Sequence, residues 1–431
     1  MFLPRLSLTL LLLFAPLGKA GSPRNVIIKD GKWTNSTTGG VIRLDGANVV
    51  MKGDPWIPAV EGSTVCDTTD VDQQTSCQTF NEFDIKNLKG LGYNMIRLGV
   101  VWAGAQPDGP FTELSSTLLE RLDAVLDLAE EYDLQVLIDL HQDAVGTAVC
   151  GEGVPMWFSQ LAIPNQIGKP LWPLPKLDDG TCGRNDTETW AEYAGDNDYN
   201  IKNLCCRKLN GENWGQLTST SQAQETMLYL FTKGRDVFAD FVGKIAQAVN
   251  DKPAAFGIEL MNEPPAIERN LMYKTWQSAA KAVRVFSSDI AVGVADTANG
   301  ALPIGDLDLR EETVEWLTDG DQYLFYAFHW YGTPKTPDQA IDNAVSLGEK
   351  WGMPVHLTEF GGYGGDSYGC ATQRAAKAAG VGSSYWHYSD YCWPKHCPDG
   401  SPDGYCPLPD GDRWGACITG WGSGNHSFAC P

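Results

Sequence analysis

Two glutamates, each at the end of an apolar run, are the residues best placed for acid–base or nucleophilic chemistry. Glu263 lies in the motif NEPP after the run FGIELM, and Glu359 lies in the motif HLTEFGG. Two facing carboxylates suit the hydrolysis of a glycosidic bond, because one protonates the leaving oxygen while the other attacks the anomeric carbon or activates water. A separation of about 5 Å between the carboxyl groups would predict retention of the anomeric configuration.

Three further carboxylates lie near these motifs and compete for the same roles. Glu259 precedes Glu263 by four positions. A strand rises about 3.3 Å per residue, so the two glutamates should lie about 13 Å apart and cannot form a catalytic pair. We therefore expect Glu259 to be a buried, hydrogen-bonded carboxylate. In the motif LIDLHQD, we expect Asp139 to be structural and Asp143 to bind a sugar hydroxyl.

A scaffold of strands must position such groups, and the sequence predicts eight strands. Each is a short run dominated by apolar residues, which is typical of strands buried on both faces. The runs cover residues 46–53, 94–102, 134–143, 254–264, 289–296, 323–332, 353–362 and 382–390. Between most of them lie helix-like segments, clearest at 112–132, 226–250 and 337–352. Strands that alternate with helices predict an α/β protein with a (β/α)8 TIM barrel.

Two parts of the chain depart from this alternation. From Ala144 to about Gln222 the chain is loop-like, rich in Gly, Asn, Asp and Trp, and carries four cysteines. We predict a long functional loop after the third strand, which should overhang the C-terminal face of the barrel. After Trp393 the chain is rich in Pro, Gly and Cys, which predicts a disulfide-pinned tail rather than a second domain.

Several predicted strands become polar only in their last residues. The second strand carries Arg97, the third ends with His141 in DLHQD, the sixth ends with His329 and Tyr331, and the eighth carries Trp386. Polar residues at the C-terminal ends of several barrel strands indicate an active site, because those ends converge at one mouth. A single such residue could be a satisfied core group, but a converging set favours a functional role.

Taken in order along the chain, these residues resemble the signature of glycoside hydrolase family 5, the cellulase-type group (clan A) of retaining barrels. The resemblance extends from about residue 40 to residue 394. All eight signature positions have a match in the expected strand order: Arg97, His141, Asn262, Glu263, His329, Tyr331, Glu359 and Trp386. The resemblance implies that Glu263 is the general acid/base and that Glu359 is the nucleophile.

The same resemblance implies roles for the surrounding residues. Arg97 and a hydrogen bond from Tyr331 would keep Glu359 ionised. Asn262 would hold the sugar 2-hydroxyl, a contact that strengthens in the transition state. Trp386 would form a flat platform beneath the sugar at the cleavage point. The two matching histidines would position the sugar and the two carboxylates.

Four longer segments are similar to endoglycoceramidases, which cleave between the oligosaccharide and the ceramide of glycosphingolipids. They are GANVVMKG, IRLGVVWAGAQP, LIDLHQD and CGEGVPMW. In that group a β-sandwich usually follows the barrel, whereas here the Cys-rich tail follows it. The resemblance implies a glycosphingolipid or another β-glucosylated lipid as substrate, and a β-glucan oligosaccharide is the alternative.

The acidic composition restricts the partners that we expect. The chain has 431 residues and a formal net charge of −22 at pH 7, with a pI of about 4.6. A strongly acidic protein repels polyphosphates, so we expect neither a nucleic-acid partner nor attraction to an anionic membrane surface. We expect a monomer that binds a carbohydrate or glycolipid and that needs no cofactor or metal.

The N-terminus and the cysteines indicate export. Residues 1–20 have a basic start, an apolar run and a small-residue end, which predicts a signal peptide rather than an anchor. No later segment has 18 uninterrupted apolar residues, so no transmembrane anchor is expected. Twelve cysteines and three N-glycosylation sequons predict a disulfide-bonded glycoprotein, secreted or in the lumen of the secretory pathway. The predicted divisions are the signal peptide (1–20), the glycosidase barrel (21–394) and the tail (395–431).

Other functional classes have weaker support in the sequence. A non-catalytic sugar-binding barrel would normally have lost a catalytic carboxylate, and both are present here. The tripeptide GDS at 365–367 lies in a predicted loop without the GxSxG motif of a serine esterase. A metallohydrolase motif of the HExxH type is absent from the sequence. Cys392, His396 and Cys397 could form part of a zinc cluster, although export favours disulfides.

Overall fold

The protein is represented by a computed structural model of the chain. It describes residues 23–51, 55–61, 79–149, 151–167, 171, 217–265, 267–295, 320–332, 336–361, 366–386 and 388–389, together with the backbone of 406–407, 414–415 and 417–418. The predicted signal peptide, most of the long loop after the third barrel strand and most of the tail lie outside these residues.

Ten strands lie between residues 23 and 386 of the described chain. They are β1 (Val26–Lys29), β2 (Lys32–Asn35), β3 (Asp45–Val49), β4 (Met95–Val101), β5 (Gln135–His141), β6 (Ala255–Glu259), β7 (Ala291–Val294), β8 (Leu324–Trp330), β9 (Val355–Phe360) and β10 (Gly382–Tyr385). Strands β3 to β10 pair in parallel, in chain order, and close into a barrel. The eight predicted strands and the (β/α)8 TIM barrel are thereby confirmed.

The barrel closes where β10 pairs with β3, in the register Ser384 with Gly46. On its other side β3 pairs with β4, and a Cβ added at Gly46 would lie 1.9 Å from the carbonyl oxygen of Met95. Only glycine permits this close approach of the two backbones. Strands β4, β5 and β8 are buried along their whole length, which explains why their sequences are almost continuously apolar.

Helices surround the barrel. They are α1 (Glu82–Gly90), α2 (Trp102–Ala105), α3 (Ser116–Glu131), α4 (Met156–Ala162), α5 (Ser221–Leu230), α6 (Arg235–Ala248), α7 (Arg269–Phe286), α8 (Pro337–Trp351) and α9 (Asp366–Ala378). Helix α8 shows why these segments begin and end where they do. Thr336 and Gln339 form a capping box at its start, and Gly352 ends it with a φ of 66°.

Three details differ from the sequence-based expectations. The apolar pattern at 226–250 contains parts of two helices, α5 and α6, because the chain turns at residues 231–234. A Cβ added at Gly234 would lie 2.6 Å from the ring of Phe158, so this turn packs directly against α4. Helix α4 itself lies within the connection that was predicted to be a loop. The GDS tripeptide also runs into a helix, since Asp366 begins α9.

The hairpin of β1 and β2 covers the end of the barrel opposite the strand C-termini. Trp33 of β2 packs edge-on against Phe256 and Phe325, with ring centroids 5.3 and 5.1 Å apart. Just before the hairpin, the buried guanidinium of Arg24 donates to the carbonyl oxygens of Val249 and Ala255 at 3.0 and 2.7 Å. The bond to Val249 satisfies a backbone acceptor at the C-terminal end of helix α6, and the bond to Ala255 ties the same guanidinium to the first residue of β6.

Among the described residues, none of the helices has both the length and the apolar character needed to cross a membrane. Beyond the barrel, residues 388–389 pair with 417–418, and residues 406–407 pair with 414–415. Cys370 in α9 is disulfide-bonded.

Candidate active site

Glu263 and Glu359 come together at the C-terminal mouth of the barrel. Glu359 is the penultimate residue of β9, and Glu263 lies in the loop that follows β6. Both residues are buried: Glu263 has 8% of its surface exposed and Glu359 has 4%. One nitrogen of His329 and one carboxylate oxygen from each glutamate all lie within 4.8 Å of one another. The two carboxylates are therefore close enough to act on a single bond.

Arg97 of β4 is the cation at the centre of this site. Its guanidinium is fully buried and contacts three carboxylates, at 2.8 Å from Glu359, 2.7 Å from Glu259 and 2.9 Å from Asp139. Burial alone would lower the pKa of Arg97, but the attraction of Asp139, Glu259 and Glu359 is stronger and raises it. Arg97 thus carries a permanent positive charge beside Glu359.

Two asparagines orient the same guanidinium. Arg97 donates to the side-chain oxygen of Asn48 at 2.8 Å and to that of Asn262 at 2.9 Å. Asn48 of β3 in turn donates to the carbonyl oxygen of Thr358 on β9 and to that of Ser384 on β10. Sequence reasoning assigned no role to Asn48. The signal was present, because Asn48 is the polar residue within the apolar run GANVV.

His329, the penultimate residue of β8, and Tyr331, just after that strand, lie beside the two glutamates. The hydroxyl of Tyr331 donates to Oε2 of Glu359 at 2.7 Å. Burial and the charges of Glu359 and Glu263 raise the pKa of Tyr331 well above its usual value, so it remains a donor. Nδ1 of His329 lies 2.9 Å from Glu263 and 3.4 Å from Glu359. Burial lowers the pKa of His329, but the two glutamates outweigh burial and raise it.

His141, at the end of β5, lies between two aspartates and beneath an aromatic ring. Its Nδ1 is 2.7 Å from Asp139, and its Nε2 is 3.4 Å from Asp143. Burial lowers the pKa of His141, but the two aspartates outweigh burial and raise it to about 10. The imidazole is therefore protonated at neutral pH. Trp386, just after β10, stacks on His141 with ring centroids 5.4 Å apart and planes 12° apart.

The rival carboxylates Asp139 and Glu259 are fully buried, and both hydrogen-bond to other residues of the site. Thr358 donates to Glu259, which also binds Arg97, and Asp139 binds both Arg97 and His141. The expected distance between Glu259 and Glu263 was calculated for a straight strand, but β6 ends at Glu259. The two glutamates reach opposite nitrogens of His329, at 3.9 and 2.9 Å, and do not pair directly.

Within the described part of the chain, two sets of side chains have the ligand atoms and spacing to hold a metal ion. One is Glu263, His329 and Glu359, and the other is His141, Asp143 and Glu152. Although burial opposes the shift, Asp139 and Asp143 raise the pKa of His141 to about 10, so a metal ion in the second set would have to displace a proton from the imidazole. Asp143 and Glu152 also exchange backbone hydrogen bonds of 2.8 and 2.9 Å, which fold the segment after β5 back over the site.

A closed (β/α)8 barrel whose mouth holds two facing carboxylates has the architecture of a glycoside hydrolase. Residues 60–392 match the sequence model of cellulase (glycosyl hydrolase family 5), so the chain belongs to glycosyl hydrolase family 5. The resemblance drawn from the motifs is thereby confirmed.

Endoglycoceramidases are among the similar proteins. The endoglycoceramidase of Cyanea nozakii is 31% identical over 224 residues, which cover 51% of this chain and 37% of that protein. Endoglycoceramidase I of Rhodococcus hoagii (strain 103S) is 24% identical over 402 residues, covering 85% of this chain and 68% of that protein. The chain thus spans well under half the length of the Cyanea relative.

A solved structure of endo-glycoceramidase II from Rhodococcus sp., in complex with ganglioside GM3, has a similar fold. The TM-score is 0.59 at 19% sequence identity, and the match covers 91% of this chain and 80% of that chain. At this identity the similarity supports the barrel fold.

Proposed function

We propose that the protein is a retaining β-glycosidase that releases the sugar from a glycosphingolipid or another β-glucosylated lipid. The observation that carries the proposal is the geometry around the two glutamates. One carboxylate oxygen of Glu263 lies within 4.8 Å of one carboxylate oxygen of Glu359. Glu359 accepts hydrogen bonds from Arg97 and Tyr331, whereas Glu263 contacts His329. A carboxyl separation of about 5 Å is typical of retaining enzymes.

In the first step of the proposed mechanism, Glu359 attacks the anomeric carbon as the glycosidic bond breaks. Glu263 donates its proton to the leaving oxygen, so the lipid departs as a neutral alcohol. The sugar is then held as an ester on Glu359. Arg97 and Tyr331 donate to the two oxygens of Glu359 at 2.8 and 2.7 Å, which orients the carboxylate for attack.

In the second step, the ionised Glu263 removes a proton from water. The water oxygen attacks the anomeric carbon from the side that the lipid left, and the bond to Glu359 breaks. Two inversions at the same carbon leave the sugar with its original β configuration. Glu263 regains its proton, and both carboxyl groups return to their starting states.

Four further residues are proposed to bind the sugar. The amide of Asn262 uses one N–H toward the carbonyl oxygen of Gln142 at 2.9 Å, which leaves its second N–H for the 2-hydroxyl. Trp386 provides an aromatic face for the sugar ring. His141 stacks on the indole ring of Trp386 and keeps that indole oriented. Asp143, close to His141, is proposed to accept a hydrogen bond from a sugar hydroxyl.

The lipid substrate is supported by the similarity to endoglycoceramidases of two organisms. We also propose that residues 1–20 are a cleaved signal peptide, and that the tail at 395–431 is pinned by disulfides to the barrel of 21–394. The disulfide at Cys370 supports an oxidising, secretory location. Mass spectrometry of the exported, non-reduced protein would test the cleavage, the disulfides and the glycans together.

The test of the activity is a comparison of three substrates. The wild-type protein, Glu263→Gln and Glu359→Gln are incubated with a fluorescent glycosphingolipid, an alkyl β-glucoside and a cello- or laminari-oligosaccharide. We expect release of the intact oligosaccharide from the glycosphingolipid, and both substitutions should reduce turnover by at least about 100-fold. Cleavage of the β-glucan alone would favour the glucanase alternative. Sugar binding without cleavage of any substrate would favour a non-catalytic barrel.

The stereochemistry provides a second, independent test. Proton NMR of the first-formed sugar should show the β anomer before mutarotation. An α anomer would contradict the nucleophile assigned at Glu359 while leaving the hydrolase activity intact.

A further inference from the structure

The backbone of Glu263 has an unusual conformation. Its φ is 36°, a left-handed value that residues with a side chain rarely adopt. Such strain costs on the order of 1–3 kcal/mol and persists only where the surroundings fix the backbone. Pro264 follows directly, and a proline further restricts the residue before it. Some neighbouring group must therefore hold this loop in place.

The side chain of Gln142 supplies that restraint. Its amide nitrogen donates to the carbonyl oxygen of Asn262 at 2.5 Å and to that of Glu263 at 2.9 Å. These are the carbonyl groups on either side of the strained φ. In return, the side chain of Asn262 donates to the backbone oxygen of Gln142 at 2.9 Å. The loop after β5 and the loop after β6 are thereby locked together.

The orientation of the Gln142 amide is fixed by its other end. Its side-chain oxygen accepts from the backbone N–H of Val145 at 2.8 Å, and Val145 itself has a φ of 74°. A reversed amide would turn its oxygen toward two carbonyl oxygens and its N–H groups toward another N–H. Gln142 is 5% exposed, and a Cβ added at Gly153 would lie 2.5 Å from the Cβ of Gln142.

Gln142 does not approach the two carboxylates as Arg97, His329 and Tyr331 do. Its side chain hydrogen-bonds to the backbone of Asn262, Glu263 and Val145, and its own carbonyl oxygen accepts from the side chain of Asn262. We propose that Gln142 is a positioning residue, whose amide holds the backbone of Asn262 and Glu263 in the conformation that directs the Glu263 carboxyl group toward His329 and the leaving oxygen. This inference rests on the proposed role of Glu263 as the general acid.

Gln142→Leu and Gln142→Glu test the proposal. Leucine removes both donated bonds, and an ionised glutamate replaces the donor with an acceptor at similar size. The matched control is Gln135→Leu, because Gln135 is a buried glutamine at the start of β5, the strand that Gln142 follows, and its amide donates to Asp133 at 3.3 Å. We expect all three variants to fold, as judged by circular dichroism and thermal unfolding.

The readout is the dependence of kcat/KM on the leaving group. Aryl β-glycosides carry the sugar that the wild-type protein releases, with phenol as the poor leaving group and 2,4-dinitrophenol as the good one. Only the poor leaving group requires a proton from Glu263. General acid catalysis contributes about 10²- to 10⁴-fold, so partial misplacement should lower kcat/KM for the phenyl substrate about 10- to 100-fold and for the dinitrophenyl substrate less than about 3-fold. Gln135→Leu should not change the ratio.

An equal loss on both substrates would overturn the positioning role, because a general disturbance of the barrel does not distinguish leaving groups. The role would also be overturned if both Gln142 variants failed to fold while Gln135→Leu folded. A crystal structure of Gln142→Leu gives a test that needs no activity. We expect the positive φ at Glu263 and its 2.9 Å contact with His329 to be lost; if both are retained, the proposal is wrong even when no glycoside is cleaved.

Discussion

At the scale of single residues, the site is governed by the balance of buried charge. Arg97 is the shared counterion of Asp139, Glu259 and Glu359, since it contacts all three within 2.9 Å. A buried carboxylate without a cation would be strongly destabilising. The same guanidinium therefore both stabilises the barrel interior and holds the proposed nucleophile.

Removing the guanidinium of Arg97 should lower the stability of the folded protein. Arg97→Met removes the counterion that three buried carboxylates share, and we expect the free energy of unfolding to fall by about 3–5 kcal/mol at neutral pH. The loss should become smaller at acidic pH, because protonation removes the uncompensated charge. Urea denaturation followed by circular dichroism measures both effects.

Arg43→Met is the control for that substitution. Arg43 pairs with Asp45, but 32% of its side chain is exposed, and exposed pairs contribute about 0–1 kcal/mol. Equal losses in the Arg97 and Arg43 variants would contradict a central role for the buried guanidinium.

At the scale of elements, the strands and the polar residues that they carry could be predicted, because local sequence patterns determine them. Apolar runs predicted all eight barrel strands, and the polar residues inside these runs or at their ends pointed to Arg97, His329 and Glu359, which the structure brings into contact. Tertiary contacts were not predictable in this way. The turn between α5 and α6 depends on the approach of Gly234 to Phe158, and the restraint by Gln142 depends on a carbonyl group from another loop.

Asp84 connects two elements that are distant in sequence. In α1 its carboxylate accepts from the backbone of Asn81 at 2.8 Å, and it also accepts from the hydroxyl of Tyr388 at 2.9 Å. Tyr388 lies two positions after Trp386, so this bond anchors the segment that carries the proposed sugar platform. Burial raises the pKa of Asp84 from 3.8 to about 6, although both hydrogen bonds oppose the shift.

This shift predicts a pH dependence of stability. The folded protein binds the Asp84 proton more tightly than the unfolded chain does, so the contribution is fully present below pH 3.8 and is lost as the pH rises through about 6. The free energy of unfolding of the wild type, minus that of Asp84→Asn, should therefore decrease over this range. Urea denaturation at a series of pH values measures the difference.

Tyr388→Phe is a useful companion variant. It keeps the ring that packs edge-on against Phe80, with centroids 6.4 Å apart, but removes one donor to the carboxylate. The pKa of Asp84 in the folded variant should then be higher, so the loss of stability should extend to higher pH than in the wild type. A difference that does not vary with pH would contradict the linkage to Asp84.

At the scale of the whole molecule, the chain carries a large excess of negative charge. It has 54 acidic and 32 basic residues, and the buried cations Arg97 and His141 are paired with buried carboxylates. Because carboxylates lie next to these buried cations, the cations contribute little to the electrostatic field outside the protein. The approach to a surface is therefore governed by the net charge of −22.

This charge predicts how the protein discriminates between lipid surfaces. Vesicles of phosphatidylcholine that contain a fluorescent glycosphingolipid are compared with vesicles that also contain phosphatidylserine. We expect slower hydrolysis and weaker co-sedimentation with the anionic vesicles at low salt, because like charges repel over a Debye length of about 30 Å at 0.01 M salt. The difference should nearly disappear at about 1 M salt, where that length falls to about 3 Å. Co-sedimentation of the Glu359→Gln variant measures binding without hydrolysis. Stronger binding to the anionic vesicles than to the neutral ones would contradict the prediction, because a local basic surface would then outweigh the net charge.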